Sequence, residues 1–410
     1  MNETETGRDP LPLDGVRVLA VENFVAGPLA TMWLGDAGAE VVKIEEPGKG
    51  DHSRSTSPVR PVEDGRPEGL SFLRTNRNKR SVTLDLKSED GKRIFRQLAM
   101  EADIVLENLR PGVMDQLGLG WKALNAINPR LIYVAVSGFG HRDLKPSPYT
   151  DHPAFDIIAQ ALSGLMYRPE RSGEKPTYLG VSLGDIHAGI VAAQGALLAL
   201  IQRGRTGKGQ KVDISLYDAA LVINELSIAM YSAQKKKSRP GAHAVTAPFG
   251  AYKASDGYLV IATLGEHVWK RFAEAIGQPG LVSDPRFADG SKRQDNLAAL
   301  DGCIQPWLNA RTRAEAVQTL LDYGVPASNV NDVEDLFNCP HLAARDMLMT
   351  LDDPVWGEVQ IPANPILMSG APRAEPMHPP RLGEHTQDVL GRWLGLVAAD
   401  VEALRSRRVV

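Results

Sequence analysis

Five short apolar runs recur within the first 136 residues, at Val16–Val21 (VRVLAV), Ala39–Ile44 (AEVVKI), Ser81–Leu86 (SVTLDL), Ile104–Leu106 and Leu131–Val136 (LIYVAV). Such brief, Val- and Ile-rich runs suit strands buried on both faces, as parallel sheets provide. Helical segments separate them. Ala26-Gly27-Pro28 opens one through Leu29–Asp36, with Pro28 suited to the first helical position, and Ser88–Ala102 and Asp156–Leu165 give others. This alternation predicts an α/β fold with a doubly wound, mostly parallel sheet. Glu45 follows the second run, where dinucleotide folds keep a ribose-binding acid, but the glycine-rich phosphate fingerprint is missing from AGPLAT. A nicotinamide enzyme is therefore the runner-up among fold readings.

In open α/β sheets ligands bind at the carboxyl ends of strands. The turn Glu107–Gly112 and the polar loop Gly48–Gly65 lie at such ends. The segment Arg74–Lys87 (RTNRNKRSVTLDLK) carries five cations and suits either a solvated face or phosphate groups. The glycine-rich basic turn 203–210 lacks P-loop spacing and reads as a helix-to-strand turn. It leads to a strand at Lys211–Leu216 and a helix at Asp218–Met230. Composition then changes to a charged linker over Ser232–Thr246. Beyond it come a hairpin about Asp256-Gly257 and helices at Glu266–Gly277 and Arg313–Tyr323. The divisions expected are a large domain over 1–225, a smaller α+β domain over 226–331 and a C-terminal segment over 332–410. That last segment reads as a helix at Val330–Leu348, a β segment at Asp353–Ile366 and a final helix at Gln387–Leu394.

The formal charge of −4 leaves no basic stripe for nucleic acid. Cys303 and Cys339, the two cysteines, form no disulfide framework, and no His, Cys, Asp and Glu cluster has metal spacing. No run approaches the roughly 18 uninterrupted apolar residues of a membrane span, and the first residues hold no apolar signal region, so a cytoplasmic protein is expected.

Thr177–Gly189 (TYLGVSLGDIHAG) delivers Asp185 to the start of an Ala- and Leu-rich helix over Ile186–Gln202. A carboxylate there is an N-cap or a positioned functional group, and the helix dipole favours its ionised form. Gly180, Gly184 and Gly189 would leave backbone room for a ligand. His187, two residues on, does not face Asp185 on a helix and reads as packed or exposed.

Taken together these segments resemble the class III CoA-transferases, the family of formyl-CoA, carnitine and succinyl-CoA transferases. The resemblance runs through AGPLATMWLGDAGAEVVKIE, NRNKRSVTLDLK, ADIVLENLRPGV, PAFDIIAQALSGLM, GVSLGDIHAG, RTGKGQKVDISL, FGAYKASDGYLVIA and LGEHT. It implies a Rossmann-like large domain to which the C-terminal segment returns, and a homodimer of interlocked subunits. It also implies a coenzyme A thioester as substrate, with no cofactor permanently bound and no metal. The family's catalytic aspartate falls on Asp185 in GDxxxG. Its CoA contacts fall on Val25 and Ala26, on Leu84, Asp85, Leu86 and Lys87, on Asn108, Leu109 and Arg110, and on Pro153, Ala154, Phe155 and Asp156.

The chain departs from the family pattern at several positions. Glu46 and Gln116 stand where relatives use arginine against the CoA phosphates, which passes that role to Arg77, Arg80 or Arg110. Val25 stands where formyl-CoA enzymes have glutamine, and no four-glycine loop occurs near Pro240–Pro248, which argues against oxalate and formyl-CoA. Phe155 replaces the histidine of the sister racemases, which favours transfer over α-proton chemistry. The expected reaction moves CoA from a succinyl-CoA-type donor to a di- or hydroxy-carboxylate through aspartyl anhydride and aspartyl-CoA thioester intermediates. The rivals are a 2-methylacyl-CoA epimerase and a non-catalytic CoA-binding subunit of a heteromeric transferase.

Overall fold

A computed structural model of the chain describes residues 10–62, 65–167, 175–235, 237 and 246–410. Positions 1–9 of the N-terminal tail, and 236 and 238–245 of the linker, with positions 240–245 of its Pro240–Pro248 loop, lie outside the described residues. Two compact units emerge. The first combines Met1–Met166, Tyr178–Glu225 and Asp346–Val410, and the second Tyr167–Thr177 and Leu226–Arg345. Positions 332–345 thus group with the second unit rather than with the C-terminal segment.

The first unit is built on six parallel strands: β1 (Arg17–Val21), β2 (Glu40–Glu45), β3 (Lys79–Thr83), β4 (Ile104–Glu107), β5 (Ile132–Ser137) and β6 (Lys211–Ser215). Their spatial order is β3-β2-β1-β4-β5-β6. The order reverses between β1 and β4, which opens a crevice at the carboxyl ends of the strands. The third run pairs with β2 over Lys79–Thr83, earlier than its apolar residues suggest. Leu84–Lys87 consequently leaves the sheet at its carboxyl end.

Helices α1 (Ala26–Asp36), α2 (Glu89–Glu101), α3 (Asp156–Leu162) and α4 (Leu183–Thr206) flank the sheet. Alternate strand residues face opposite sides. Val18, Val41, Ile104 and Val134 pack with Ala26, Ala30 and Leu34 of α1 and with Ala188, Ala192, Ala196 and Ala199 of α4. Leu19, Val42, Val105 and Tyr133 pack with Ile94, Phe95 and Leu98 of α2 and with Val389, Leu390, Trp393, Val401 and Leu404. The C-terminal helices Thr386–Leu394 and Ala398–Ser406 therefore complete the cover of the sheet; the second of these carries no expectation from the sequence.

Among the described residues α4 alone is long and apolar enough to cross a membrane, a length that the count of uninterrupted apolar residues missed. Its alanine stripe is buried against α1 and the sheet, as in a core helix. α1 begins at Ala26, so Pro28 is its third residue rather than its first. The helix expected over Asp218–Met230 is two, Leu216–Ile223 and Glu225–Gln234, broken at Asn224, whose amide donates to Ser163 O at 2.9 Å. Val330–Leu348 holds two short helices, Val333–Phe337 and Pro340–Ala344, and Leu348 already begins a hairpin, Leu348–Asp353 with Gly357–Pro362.

In the second unit an antiparallel sheet of Phe249–Ala254, Gly257–Ala262 and Ala327–Asn329 packs its inner face on helices Glu266–Ala275, Leu297–Asn309 and Arg313–Asp322. Trp269 and Phe272 fill that core. The buried Arg293 donates to Ala247 O and Phe287 O and pairs with Glu266.

Candidate active site

Asp185 is the third residue of α4, and its surroundings differ from those of a cap. The residue that caps the helix is Asp156, the first residue of α3. Its Oδ1 accepts Gly184 N at 2.7 Å and Asp185 N at 3.1 Å. Its Oδ2 accepts Gln160 Nε2 at 2.6 Å, and that amide also donates to Val181 O. Leu183 N and Ile186 N donate to Val181 O and Ser182 O. All the first-turn N–H groups of α4 are thus engaged, and among the described residues none donates to the Asp185 carboxylate. Burial, and then the neighbouring Asp156 charge, push Asp185 up to about 7, against the pull of Arg74. The expectation of an ionised carboxylate held by the helix dipole is corrected accordingly.

Gly184 and Gly189 serve this geometry, whereas a Cβ on Gly180 would meet nothing within 4 Å. A Cβ on Gly184 would stand 3.0 Å from Asp156 Oδ1, and one on Gly189 would stand 2.7 Å from Ala26 O. His187 Nδ1 lies 2.8 Å from Ala219 O, a packing contact between helices.

A cavity of about 850 Å³ opens at the carboxyl ends of β1, β2 and β4. Leu84, Asp85, Leu86, Lys87 and Leu109 line it, as do Glu46 and Gln116. Its cations include Lys49, Arg66 and Arg381, which sequence reasoning missed because they stand on loops without periodic signal. Glu46 holds Lys49 at 2.8 Å and Lys87 at 3.7 Å.

Beneath the cavity lies a buried charge network. Lys79 Nζ donates to Glu22 Oε1 at 2.7 Å, and Lys43 Nζ donates to Asp51 Oδ2 at 2.8 Å. Glu45 accepts both Arg54 Nε and Arg54 Nη2 at 2.9 Å. Burial opposes the Glu45 charge, but Arg54 outweighs it and holds the carboxyl below its ordinary range. Glu45 is therefore a structural ion-pair partner, not the ribose acid of a dinucleotide fold.

The cavity and Asp185 are joined by a run of contacts. Phe24 holds a left-handed backbone (φ 63°), costly for a bulky residue, and its N–H donates to Asp51 Oδ1 at 3.1 Å. Its ring stacks on His52 at 5.5 Å and meets Phe155 edge-on at 6.2 Å. Phe155 immediately precedes Asp156. Asn108 pins the same loop, accepting Asn23 N and donating to Asn23 O, each at 2.8 Å. Glu107 behind it is buried and pushed up to about 8, and it accepts Leu109 N at 2.8 Å.

The other expected contacts divide. Val25 and Ala26 are buried at the start of α1, Arg110 is exposed beside Leu109, and Pro153 and Ala154 lead into Phe155. None of these five lines the cavity. Arg77 and Arg80 do not line it either. Arg77 is buried with Nε and Nη2 on Asp36 at 2.9 and 2.6 Å. Arg80 sits between Glu40 at 3.4 Å and Asp388 at 3.5 Å. Their positive charge is spent on the packing of α1 and of the C-terminal helix, which corrects their assignment to phosphate.

Comparison with known proteins bears on this arrangement. The profile of CoA-transferase family III matches residues 13–386. The chain is 38% identical over 407 residues to succinyl-CoA--D-citramalate CoA-transferase of Chloroflexus aurantiacus, covering 98% of this chain and 99% of the relative. It is 37% identical over 373 residues to acetyl-CoA:oxalate CoA-transferase of Acetobacter aceti, covering 90% and 92%. A crystal structure of a CAIB/BAIF family protein from Brucella suis aligns with a TM-score of 0.81 at 34% identity, over 94% of this chain and 100% of that one. Matches that span almost the whole of each chain make this protein an enzyme of CoA-transferase family III.

Proposed function

We propose that the protein transfers CoA from an acyl-CoA to a free carboxylic acid, with Asp185 as the nucleophile. We further propose that the donor is of the succinyl-CoA type and the acceptor a di- or hydroxy-dicarboxylate. The observation that carries the reading is the Asp185 carboxylate itself: half-buried, close to neutral pH in its titration, and free of hydrogen bonds from the described residues. Asp156 takes the helix N–H groups that would otherwise damp its nucleophilicity.

The ionised Asp185 attacks the donor thioester carbonyl. The tetrahedral adduct expels CoA thiolate and leaves an acyl–aspartyl anhydride. The thiolate then attacks the aspartyl carbonyl, releasing the donor acid and leaving an aspartyl-CoA thioester. The acceptor carboxylate attacks that thioester to give a new anhydride and thiolate. Thiolate attack on the acceptor's acyl carbonyl releases the new acyl-CoA and restores Asp185. The cavity suits the nucleotide end of CoA, with Lys49 and Lys87 toward its phosphates. The line from His52 through Phe24 and Phe155 suits the chain that carries the thioester to Asp185. The acceptor class rests on the citramalate relative; the oxalate relative is nearly as similar and keeps oxalate within that class, against the expectation drawn from Val25.

Epimerisation needs two groups to take and return an α-proton. Asp156 is committed to its cap and to Gln160, and Phe155 carries no proton, so transfer is the better supported reading. We also propose a cytoplasmic homodimer of interlocked subunits; exposed apolar side chains on α3, α4 and Leu216–Ile223 support the self-association.

The test is to incubate the purified protein with succinyl-CoA, withhold the acceptor, quench with hydroxylamine and map the adduct by peptide mass. The label is expected on Asp185 and absent from Asp185→Asn, once deamidation of the variant is excluded. A label on another residue, or full activity of Asp185→Asn, removes the mechanism. Failure of the protein to react by itself would favour the non-catalytic subunit, and deuterium entry at Cα faster than transfer would favour the epimerase.

A further inference from the structure

Arg74 ends the short helix Leu70–Leu73, and its side chain is exposed. The cations that follow it are engaged. Arg77 is on Asp36, Lys79 is on Glu22, and Arg80 is between Glu40 and Asp388. Among the described residues, no hydrogen bond or ion pair engages the Arg74 guanidinium. Its backbone is nevertheless fixed, because Leu73 is buried with Leu351 and Ile361, and Thr75 and Asn76 are buried behind it.

Two contacts bring this segment to the same turn of α1 as the nucleophile's helix. Lys79 Nζ donates to Pro28 O at 2.9 Å and to Asn76 Oδ1 at 2.9 Å. Gly189, one turn beyond Asp185, meets Ala26 and Leu29 so closely that a Cβ there would lie 2.7 Å from Ala26 O. The Arg74 charge accordingly reaches Asp185.

We propose that Arg74 is the anion subsite of the active centre, binding the carboxylate of a dicarboxylic substrate that lies remote from the reacting carbonyl. The proposal rests on the transferase reading above. Asp156 and Asp185 repel a second carboxylate entering the site, and a cation beside them offsets that repulsion. A guanidinium fork suits a carboxylate. On the reacting carboxylate it would withdraw the electron density needed for attack. On the remote one it fixes position at no such cost. Donor and acceptor acyl groups occupy the same place in turn, so one arginine serves both.

The experiment compares succinyl-CoA with butyryl-CoA, whose acyl chain has the same number of carbons but ends in a methyl group. Single-turnover formation of the enzyme-CoA thioester, acceptor omitted, at about pH 9 where Asp185 is ionised with or without the Arg74 charge, gives a second-order rate for each donor. In the wild type succinyl-CoA is expected to react about 100-fold faster. Arg74→Gln should lower the succinyl-CoA rate about 100-fold while leaving butyryl-CoA within about threefold, and Arg74→Lys should recover part of the loss. Equal losses for both donors in Arg74→Gln, or a wild type without preference, overturns the subsite and leaves the transferase reading standing. A wild type that forms no thioester with either donor overturns both.

Discussion

Asp185 stands at a helix start, where the dipole and unpaired N–H groups ordinarily lower a carboxyl pKa, yet it titrates at about 7. The N–H groups belong to Asp156, and burial adds to the repulsion that Asp156 exerts. The rate of thioester formation should therefore rise with pH through a midpoint near 7 and level off above it. Asp156→Asn keeps an oxygen for the cap but removes the charge, so its midpoint should fall; an unmoved midpoint would exclude Asp156 as a cause. Stability carries the opposite sign. Below about 3.8 both folded and unfolded states hold the proton, and the group contributes nothing. Between about 3.8 and 7 the unfolded state loses its proton first, so folding is increasingly disfavoured, and above 7 the penalty is complete. Asp185→Asn should then be more stable than the wild type at pH 8 by on the order of 2 kcal/mol, after discounting for partial exposure, and no more stable at pH 3.5. Urea denaturation at the two pH values measures this. The sequence marked Asp185 through its small neighbours and its helix. Its protonation was not legible, because it follows from burial in the fold and from a charge 29 positions away.

At the scale of elements, the segment from Arg74 to Lys87 shows what local composition can and cannot decide. Its wealth of cations was plain, and it does reach the carboxyl end of the sheet. Which cation faces which way depends on the packing of β3 between β2 and the C-terminal helix, a contact more than 300 positions distant in sequence for Arg80 and Asp388. Arg77 and Asp36 form a buried bidentate pair. Arg77→Ala would leave that carboxylate without its main partner, and should cost roughly 3 kcal/mol in urea denaturation while leaving the Michaelis constant for acyl-CoA unchanged. Lys49→Ala with Lys87→Ala should do the reverse. Both side chains are exposed at the cavity, so stability should hold while the Michaelis constants for all acyl-CoAs rise about tenfold or more. A rise with Arg77→Ala, or none with the double lysine variant, would move the phosphate site away from the cavity.

For the whole molecule, the strand runs and their separations were enough to give the parallel sheet, because burial on both faces leaves an unbroken apolar signature. They could not say what covers the outer side of α4. That helix buries a stripe of alanines inward and exposes Leu197, Leu198 and Ile201, with Leu198 60% exposed. Leu221, Val222 and Ile223 of the next helix are exposed too. Apolar side chains at this density on consecutive helices form a patch larger than a lone globular chain ordinarily leaves in water. A second copy of the chain is the occupant proposed above. The wild type should therefore sediment at twice the chain mass at micromolar concentration. Leu198→Glu with Val222→Glu would put carboxylates on a face that association dries, and unpaired buried charge costs several kcal/mol. That variant should sediment as a monomer and retain its far-ultraviolet circular dichroism, since neither side chain belongs to the core. A wild type that remains monomeric with this surface uncovered would show that the patch has some other partner.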